Sequence, residues 1–270
     1  MTTPTVRPDH AAVTYDATAP FYDILTQFDD YAAFSGILDG LIRRASPPGR
    51  RLLDAGCGNG RSSVLFAGLG YRVTGTDISP AMIETARRRH AGSGIDFHVH
   101  DVREPVAHGP YDVVLCMSDI VNYLLEPADL AEAFRSVAAA LNPGGVLVFD
   151  ANTPHGYDLM TSPHFIETDQ AFVTLRGRHD VQGEAHRFRL AIDAFRTVPA
   201  DRGHPDLWTR STVEHLQAHH SPDRFARLLA AAGLRLVGSH GLHISGTVAD
   251  SLDEKEHTKG LYVAVRESDG

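Results

Sequence analysis

Apolar residues recur at helical spacing between Tyr15 and Arg44, at Phe21, Ile24, Leu25, Phe28, Tyr31, Phe34, Ile37, Leu38 and Leu41. One or two helices are expected there, stopped by Pro47-Pro48-Gly49, while residues 1–14 lack a period and read as a loose leader. The pattern then changes. Short apolar runs at 51–54, 72–76, 95–100, 111–117 and 146–150 alternate with helical stretches at 62–69, 80–89 and 130–141. Ser79 stands where an N-cap belongs and Pro80 at the first helical position. The run YDVVLCM (111–117) is apolar enough for burial on both faces. Strands alternating with helices of this length predict right-handed βαβ units and a mostly parallel sheet. After residue 154 the alternation stops. Residues 170–178, 186–196 and 208–218 are rich in strand formers with no helix between them, and 197–207 reads as a loop. Helix returns at 222–232, ended by Gly233, and strands are expected at 234–240 and 261–266. The fold class is α/β: a doubly wound, mostly parallel seven-stranded sheet with an antiparallel β insertion as a lid. The expected division is 1–44 as leader and covering helices, 45–154 with 219–270 as the main domain, and 155–218 as the insertion.

The 270 residues suit one core with an insertion, and 43 % hydrophobic with 22 % charged residues suits a soluble protein. A net charge of -9 argues against a nucleic-acid partner; the densest basic run, Arg87-Arg88-Arg89, falls on a predicted helix as a solvated face. No apolar run reaches the roughly 18 residues of a membrane span, and the start lacks a secretory layout, so no membrane association and a cytoplasmic location are expected. Cys57 and Cys116 lie too far apart for a CxxC site, and no metal is expected despite 16 histidines.

The chemistry concentrates at Leu52-Leu-Asp-Ala-Gly-Cys-Gly-Asn-Gly60. Gly56, Gly58 and Gly60 fall between the first strand and first helix, where missing Cβ atoms let the backbone turn tightly against a ligand. A dinucleotide fingerprint is GxGxxG; here the third glycine comes one residue early, and Asp54 precedes the first by two. An acid there serves a cationic amino-acid end and no phosphate. Asp77, ending the second strand, can accept from two ribose hydroxyls, and Asp101, after the third, from an adenine amino group. Each acid alone is an ordinary turn or cap residue. Together with the glycines they trace amino acid, ribose and base in order.

The glycine loop, Asp77, the Asp101-Val102 turn, the YDVVLCM strand and LNPGGVLVFD (141–150) resemble the class I S-adenosylmethionine-dependent methyltransferase family over roughly 15–153, and more loosely over 222–266. The resemblance implies a Rossmann-like methyltransferase fold with S-adenosyl-L-methionine as cofactor. It implies that Asp54, Ala55, Gly56 and Gly58 hold the methionyl moiety and Asp77 the ribose. Ile78 and Met82 would lie against the adenine, Asp101 with Val102 at its polar edge, and Met117 near the amino-acid end. YDATAPFYD (15–23) is similar to the aromatic opening of small-molecule members, including antibiotic and amino-sugar N-methyltransferases, which implies Tyr22 at the methionyl carboxylate and Tyr15 near the acceptor. Asn122 and Tyr123 follow strand four, where such proteins meet the transferred methyl, and no NPPY- or DPPY-type signature is present.

Methyl transfer from a sulfonium is an in-line displacement that needs alignment and a dry site. An amine acceptor needs only to be neutral, whereas a hydroxyl usually needs a base, for which His155, His215 and Asp119 are candidates. The absence of a motif singling out a base favours an amine nitrogen on a small-molecule acceptor. Open alternatives are an O-methyltransferase with a His or Asp base and a catalytically silent cofactor-binding regulator. Only Lys255 and Lys259 of the 25 basic residues are lysines, an arginine bias expected of a GC-rich bacterium, which points the acceptor search toward specialised metabolism and antibiotic biosynthesis. The insertion, at the ligand edge of the sheet, would roof the acceptor, or its strand edges would make a homo-oligomer. Asp77→Ala is expected to keep the fold and weaken S-adenosylmethionine binding by about 2–4 kcal/mol, the worth of two charge-assisted hydrogen bonds. An unchanged dissociation constant by calorimetry would remove the assignment.

Overall fold

In the computed structural model, residues 9–106, 109–182, 185–197 and 207–267 are described. The first element is α1 (His10–Thr18), opened by Asp9, whose side chain accepts from the Ala11 amide. This corrects the reading of 10–14 as leader; residues 1–8 lie outside the described residues. The helix escaped notice because its buried positions are Thr14 and Thr18, so it has no apolar period to find. A three-ten turn, Ala19–Phe21, leads into α2 (Tyr22–Leu25) and then α3 (Tyr31–Arg44), capped by Asp30.

The alternation follows as expected: β1 (Arg51–Ala55), α4 (Arg61–Gly68), β2 (Arg72–Asp77), α5 (Pro80–Arg89), β3 (Asp96–Val99), β4 (Tyr111–Cys116), α6 (Ile120–Tyr123), α7 (Pro127–Ala140) and β5 (Leu141–Asn152). Ser79 caps α5 by accepting from the Met82 amide, with Pro80 in the first turn. Then come α8 (Pro154–Met160), β6 (His164–Thr168), β7 (Ala171–Gln182), β8 (Ala185–Thr197) and β9 (Trp208–Ala218). The chain closes with α9 (Pro222–Ala231), β10 (Leu234–Leu242), β11 (Val248–Ala249) and β12 (Lys259–Arg266). The loop expected at 197–207 falls mostly on 198–206, outside the described residues.

The larger sheet has the order β11-β10-β12-β5-β4-β1-β2-β3. Strands β3, β2, β1, β4 and β5 run parallel, and β12, β10 and β11 attach antiparallel beyond β5. The eighth strand, β11, has two residues, too few to leave a pattern in the sequence. Alternation along β4 divides the core. Val113 and Leu115 face Leu38, Leu41 and Ile42 of α3, while Val114 and Cys116 face Leu130, Phe134 and Val137 of α7. Every residue of β4 is buried, as a strand covered on both faces requires.

Strands β6 to β9 make a second, antiparallel sheet in sequence order. Its inner positions Val173, Ile192, Ala194 and Val213 pack on Phe21, Ile24 and Leu25. On the other face, Asp193 accepts from Arg210 (2.8 Å) and Thr212 (2.7 Å) and pairs with Arg176. Among the described residues no helix is long and apolar enough to cross a membrane.

Phe149 of β5 anchors the α7–α9 side: it stacks on Tyr262 with centroids 4.8 Å apart and meets Phe225 at 5.2 Å and Phe134 at 5.4 Å. Phe149→Ala is expected to cost about 3–5 kcal/mol in a urea titration. A loss below about 1 kcal/mol would mean that this cluster does not hold β5 in place.

Candidate active site

Loops leaving the carboxyl ends of β1, β2 and β4 meet at one edge of the sheet. Gly56 (φ +76°) and Gly60 (φ +85°) supply left-handed turns, and a Cβ on Gly56 would collide with the Ile120 side chain. The amides of Gly56 (2.6 Å) and Cys57 (2.8 Å) both donate to the Thr76 carbonyl, lashing the loop to the end of β2. One residue on, Asp77 accepts from the Gly58 amide at Oδ2 (2.8 Å) and from the Ser79 amide at Oδ1 (2.9 Å). Each oxygen keeps a lone pair for a ligand hydroxyl. Burial pushes the Asp77 carboxyl up to about 6 despite these two donors.

These residues line a single cavity at the sheet edge. Tyr22, Gly56, Gly58, Asp77, Ile78, Asp101, Val102 and Met117 all stand in its wall, with Tyr15 and Tyr123. The Tyr22 ring overhangs Gly58, close enough that a Cβ there would lie 3.9 Å from its hydroxyl. At the far end Arg103 pairs with Asp101, Asp9 and, at 3.6 Å, Asp129. Burial raises the Asp101 carboxyl, but Arg103 outweighs it and the net direction is down. Above, Asp16 of α1 accepts from Ser79 Oγ (2.6 Å) and the Ala81 amide (3.1 Å), pinning α1 to the start of α5.

A second cavity continues from the first and shares Tyr22, Gly56, Met117 and Ser118 with it. Asp54 lies here, accepting from Ser62 Oγ (2.7 Å) and Ser63 Oγ (2.6 Å), which ties β1 to the first turn of α4. Opposite in charge is Arg61, which the sequence reading missed. Its guanidinium lies 4.3 Å from the Tyr31 ring centroid and its Nε is buried with no hydrogen-bond partner. An anion and a cation facing one cavity match the ammonium and carboxylate of an amino acid. The residues therefore fit S-adenosylmethionine along its length. Two expected contacts do not reach: Ala55 and Met82 are buried in the core and line neither cavity.

A third chamber, about 820 Å³, lies beyond Tyr15, Tyr22, Ser118 and Tyr123, which it shares with the first. Leu175, Phe188, Leu190 and Ile192 of the antiparallel sheet form an apolar side; Asp119, Asn152, His215, Gln217 and Lys259 a polar one. Tyr15, Tyr123 and His215 converge from elements far apart in sequence. Tyr15 donates to the Tyr123 hydroxyl at 3.2 Å, which lies 2.8 Å from His215 Nδ1, while His215 Nε2 is 3.3 Å from Thr18 Oγ1. Burial pushes the His215 imidazolium down to about 4, so the ring is neutral at neutral pH. An outer cleft shares Asp29, Tyr31, Ser118 and Lys259 with this chamber.

Two acceptor-side expectations are corrected. Asn122 is fully buried and lines none of these cavities; it donates to the Ala218 carbonyl (2.9 Å) and accepts from the Asn152 amide (2.9 Å), joining β5 to β9. His155 sits half-exposed on the first turn of α8, which Thr153 caps, and it lines none of these cavities. His215 and His219 are four apart, a metal-like spacing in a helix, but His215 lies on β9, where about 3.3 Å per residue separates them. His219 pairs instead with Glu254 at 2.7 Å. The cluster of Lys259 with Asp119 and Asp150 was also missed.

Residues 52–145 match the family model described as a methyltransferase domain. The chain is 29 % identical to a dTDP-3-amino-3,6-dideoxy-alpha-D-glucopyranose N,N-dimethyltransferase of Streptomyces fradiae, over 80 % of this chain and 83 % of that protein. It is 34 % identical to a dTDP-4-amino-2,3,4,6-tetradeoxy-D-glucose N,N-dimethyltransferase of Saccharopolyspora spinosa, a match spanning 53 % of this chain and about half, 54 %, of that relative. In structure it is similar to an amino pentose methyltransferase from Micromonospora echinaspora, involved in calicheamicin biosynthesis and solved with S-adenosylmethionine bound. That likeness has TM-score 0.67 and 25 % identity, and covers 89 % of this chain and 93 % of that one.

Asp77 gives a pH dependence with a definite sign. Its folded value is raised, so its contribution to the stability of the free protein is full below the ordinary carboxylate range and is lost as pH rises through about 6. Hydroxyl donors need the carboxylate, so ligand affinity runs the other way. The S-adenosylmethionine dissociation constant is expected to rise about tenfold from pH 7 to pH 5, and Asp77→Asn to flatten that slope. Calorimetry showing equal affinity at both pH values would overturn the assignment.

Proposed function

Because this chain is an S-adenosylmethionine-dependent methyltransferase, we propose that it methylates the amine nitrogen of a small, sugar-like acceptor bound in the chamber beneath the antiparallel sheet. In this reading Asp77 receives the ribose hydroxyls of the cofactor, and Asp101 with Val102 borders the adenine beside Ile78. Gly56, Gly58 and Met117 give the backbone wall, and Asp54 and Arg61 meet the amino-acid end beside Tyr22. The bound sulfonium supplies an already activated methyl group. What is left for the protein is to hold the nitrogen in line and keep water out.

The state of His215 carries the choice of amine over hydroxyl. A hydroxyl acceptor needs a base, and this imidazole is a poor one: burial pushes its protonation down to about 4, and both ring nitrogens are engaged by Tyr123 and Thr18. Its role is to orient the Tyr123 hydroxyl, and through it Tyr15, toward the acceptor. The phenols of Tyr15 and Tyr123 are held well above their ordinary range, chiefly by burial, and stay protonated, Tyr15 donating to Tyr123 and Tyr123 to His215, which leaves the phenol oxygens to accept from an amine N–H. Leu175, Phe188, Leu190 and Ile192 offer a sugar ring its apolar face, and the polar wall its hydroxyls. The relative from Streptomyces fradiae, similar over four-fifths of this chain, carries an amino-sugar N,N-dimethyltransferase name. The antiparallel sheet acts here as the roof that selects the acceptor.

The test is incubation with methyl-deuterated S-adenosylmethionine and a panel of amino sugars, free and carrier-linked, beside phenols and catechols, read by mass spectrometry. One or two labelled methyl groups on nitrogen are expected. Transfer only to oxygen would establish the hydroxyl reading, and no transfer with tight cofactor binding a silent binder. Tyr123→Phe, which removes the two neutral hydrogen bonds with Tyr15 and His215, is expected to lower kcat/KM about 10–100-fold while cofactor affinity holds.

A further inference from the structure

Ser118 (φ +66°) and Asp119 (φ +59°) are consecutive non-glycine residues in the left-handed region, where an L side chain crowds its own backbone. Strain of this kind survives only where the surroundings over-determine it, and it gathers at working sites. The turn sits at a junction: Ser118 lines both cofactor cavities, the acceptor chamber and the outer cleft.

Three strands restrain it. From β5, Asp150 Oδ1 accepts from the Asp119 amide at 2.8 Å. From β9, Gln217 Nε2 donates to Asp119 Oδ2 at 2.9 Å, and Gln217 Oε1 accepts from Asn152 Nδ2 at 3.0 Å. From β12, the Lys259 ammonium pairs with Asp119 and, at 2.9 Å, with Asp150 Oδ2. The antiparallel register sets Lys259 beside Asn152, two pairs from Asp150, so the side chain reaches both carboxylates. The ammonium bridges both carboxylates as a compact point charge, and Lys259 is one of only two lysines among 25 basic residues. Its side chain is 25 % exposed and lines both the chamber and the outer cleft.

We infer that Lys259 is a positioning residue for methyl transfer: by bridging Asp119 and Asp150 it holds the Ser118–Asp119 turn left-handed and so aligns the acceptor with the cofactor. The inference rests on the methyl-transfer reading of the chamber. Ionisation of Asp119 belongs to the same arrangement. Burial drives its carboxyl up, but Lys259, with Gln217 and Asn152, outweighs that and keeps it below the usual range. The other groups facing it are the phenols of Tyr15, Tyr22, Tyr123 and Tyr157, the His215 ring, and the carboxyls of Asp29 and Asp150. Lys259 is the only cation among those that line the chamber. Without it, Asp119 would keep a proton to higher pH and relax out of the turn.

The experiment compares Lys259→Met with Lys259→Met/Asp150→Asn. The double variant keeps the net charge of the cluster and still offers an amide oxygen to the Asp119 amide, so it answers the question if the single variant fails to fold. The double variant is expected to bind S-adenosylmethionine within about threefold of the parent, to hold its acceptor KM, and to lose about a hundredfold in kcat, the scale of a small misalignment. In the single variant the acidic limb of the kcat profile should move up toward neutral pH, and in the double variant back down. A crystal structure of the double variant should show Ser118 and Asp119 outside the left-handed region. Parental kcat, an unchanged turn, or a fall of melting temperature and cofactor affinity together with a rise of KM, as a purely structural role requires, would each overturn the inference. If the parent transfers no methyl to any amine, the amine reading fails, and the turn in the double-variant structure still decides the role of Lys259.

Discussion

A chain that lays down parallel strands must cross back over the sheet between them, so every strand delivers its following loop to the same edge. In this protein that constraint places the glycine loop after β1, Asp77 at the end of β2, the Asp101 turn after β3 and the Ser118–Asp119 turn after β4 side by side. The strands themselves are held by burial on both faces, so the edge is fixed by several unrelated contacts of the core. Against so firm a platform the loops can carry left-handed residues and a buried carboxylate, features that a softer scaffold would relax.

The parallel half of the molecule was legible because its causes are local. Five apolar runs, helices opened by Ser79-Pro80 and closed by Gly233, and a glycine-rich turn each occupy a few neighbouring residues. What stayed hidden depends on partners far away in sequence. Helix α1 buries threonines, one of which meets a carbonyl of β9 across 200 residues, and no hydrophobic period announces it. Lys259 meets Asp119 across 140 positions, and nothing around either residue marks the pairing. Asn122 and His155 were placed by their distance from strand ends; the side-chain directions that decide their roles depend on β9 and on the cap of α8. Arg61 had a local signal, the first turn after the glycine loop, that a count of acids alone passes over.

The two ligand spaces are built differently. The cofactor cavities draw mainly on backbone amides and short polar side chains at the sheet edge. The chamber beneath the antiparallel sheet draws on α1, α6, β8, β9 and β12 together, so it exists only when the whole chain has folded. Changes on the antiparallel sheet can therefore reshape the chamber while the glycine loop and Asp77 stay as they are. A family using one methyl donor can meet many acceptors by that division of labour.

Arg103 stands among three carboxylates, one at the start of α1, one in the cavity wall and one on α7. Swinging the first turn of α1 outward would break the contact with Asp9 and leave Arg103 still neutralised by Asp101 and Asp129. The covering helix is thus fastened at this end by a charge that never has to be stranded, and release there carries only the modest cost of a half-exposed pair. High ionic strength would accordingly loosen the first turn of α1 before any other part of this cluster, as the small ions of the solvent take over the place of Asp9.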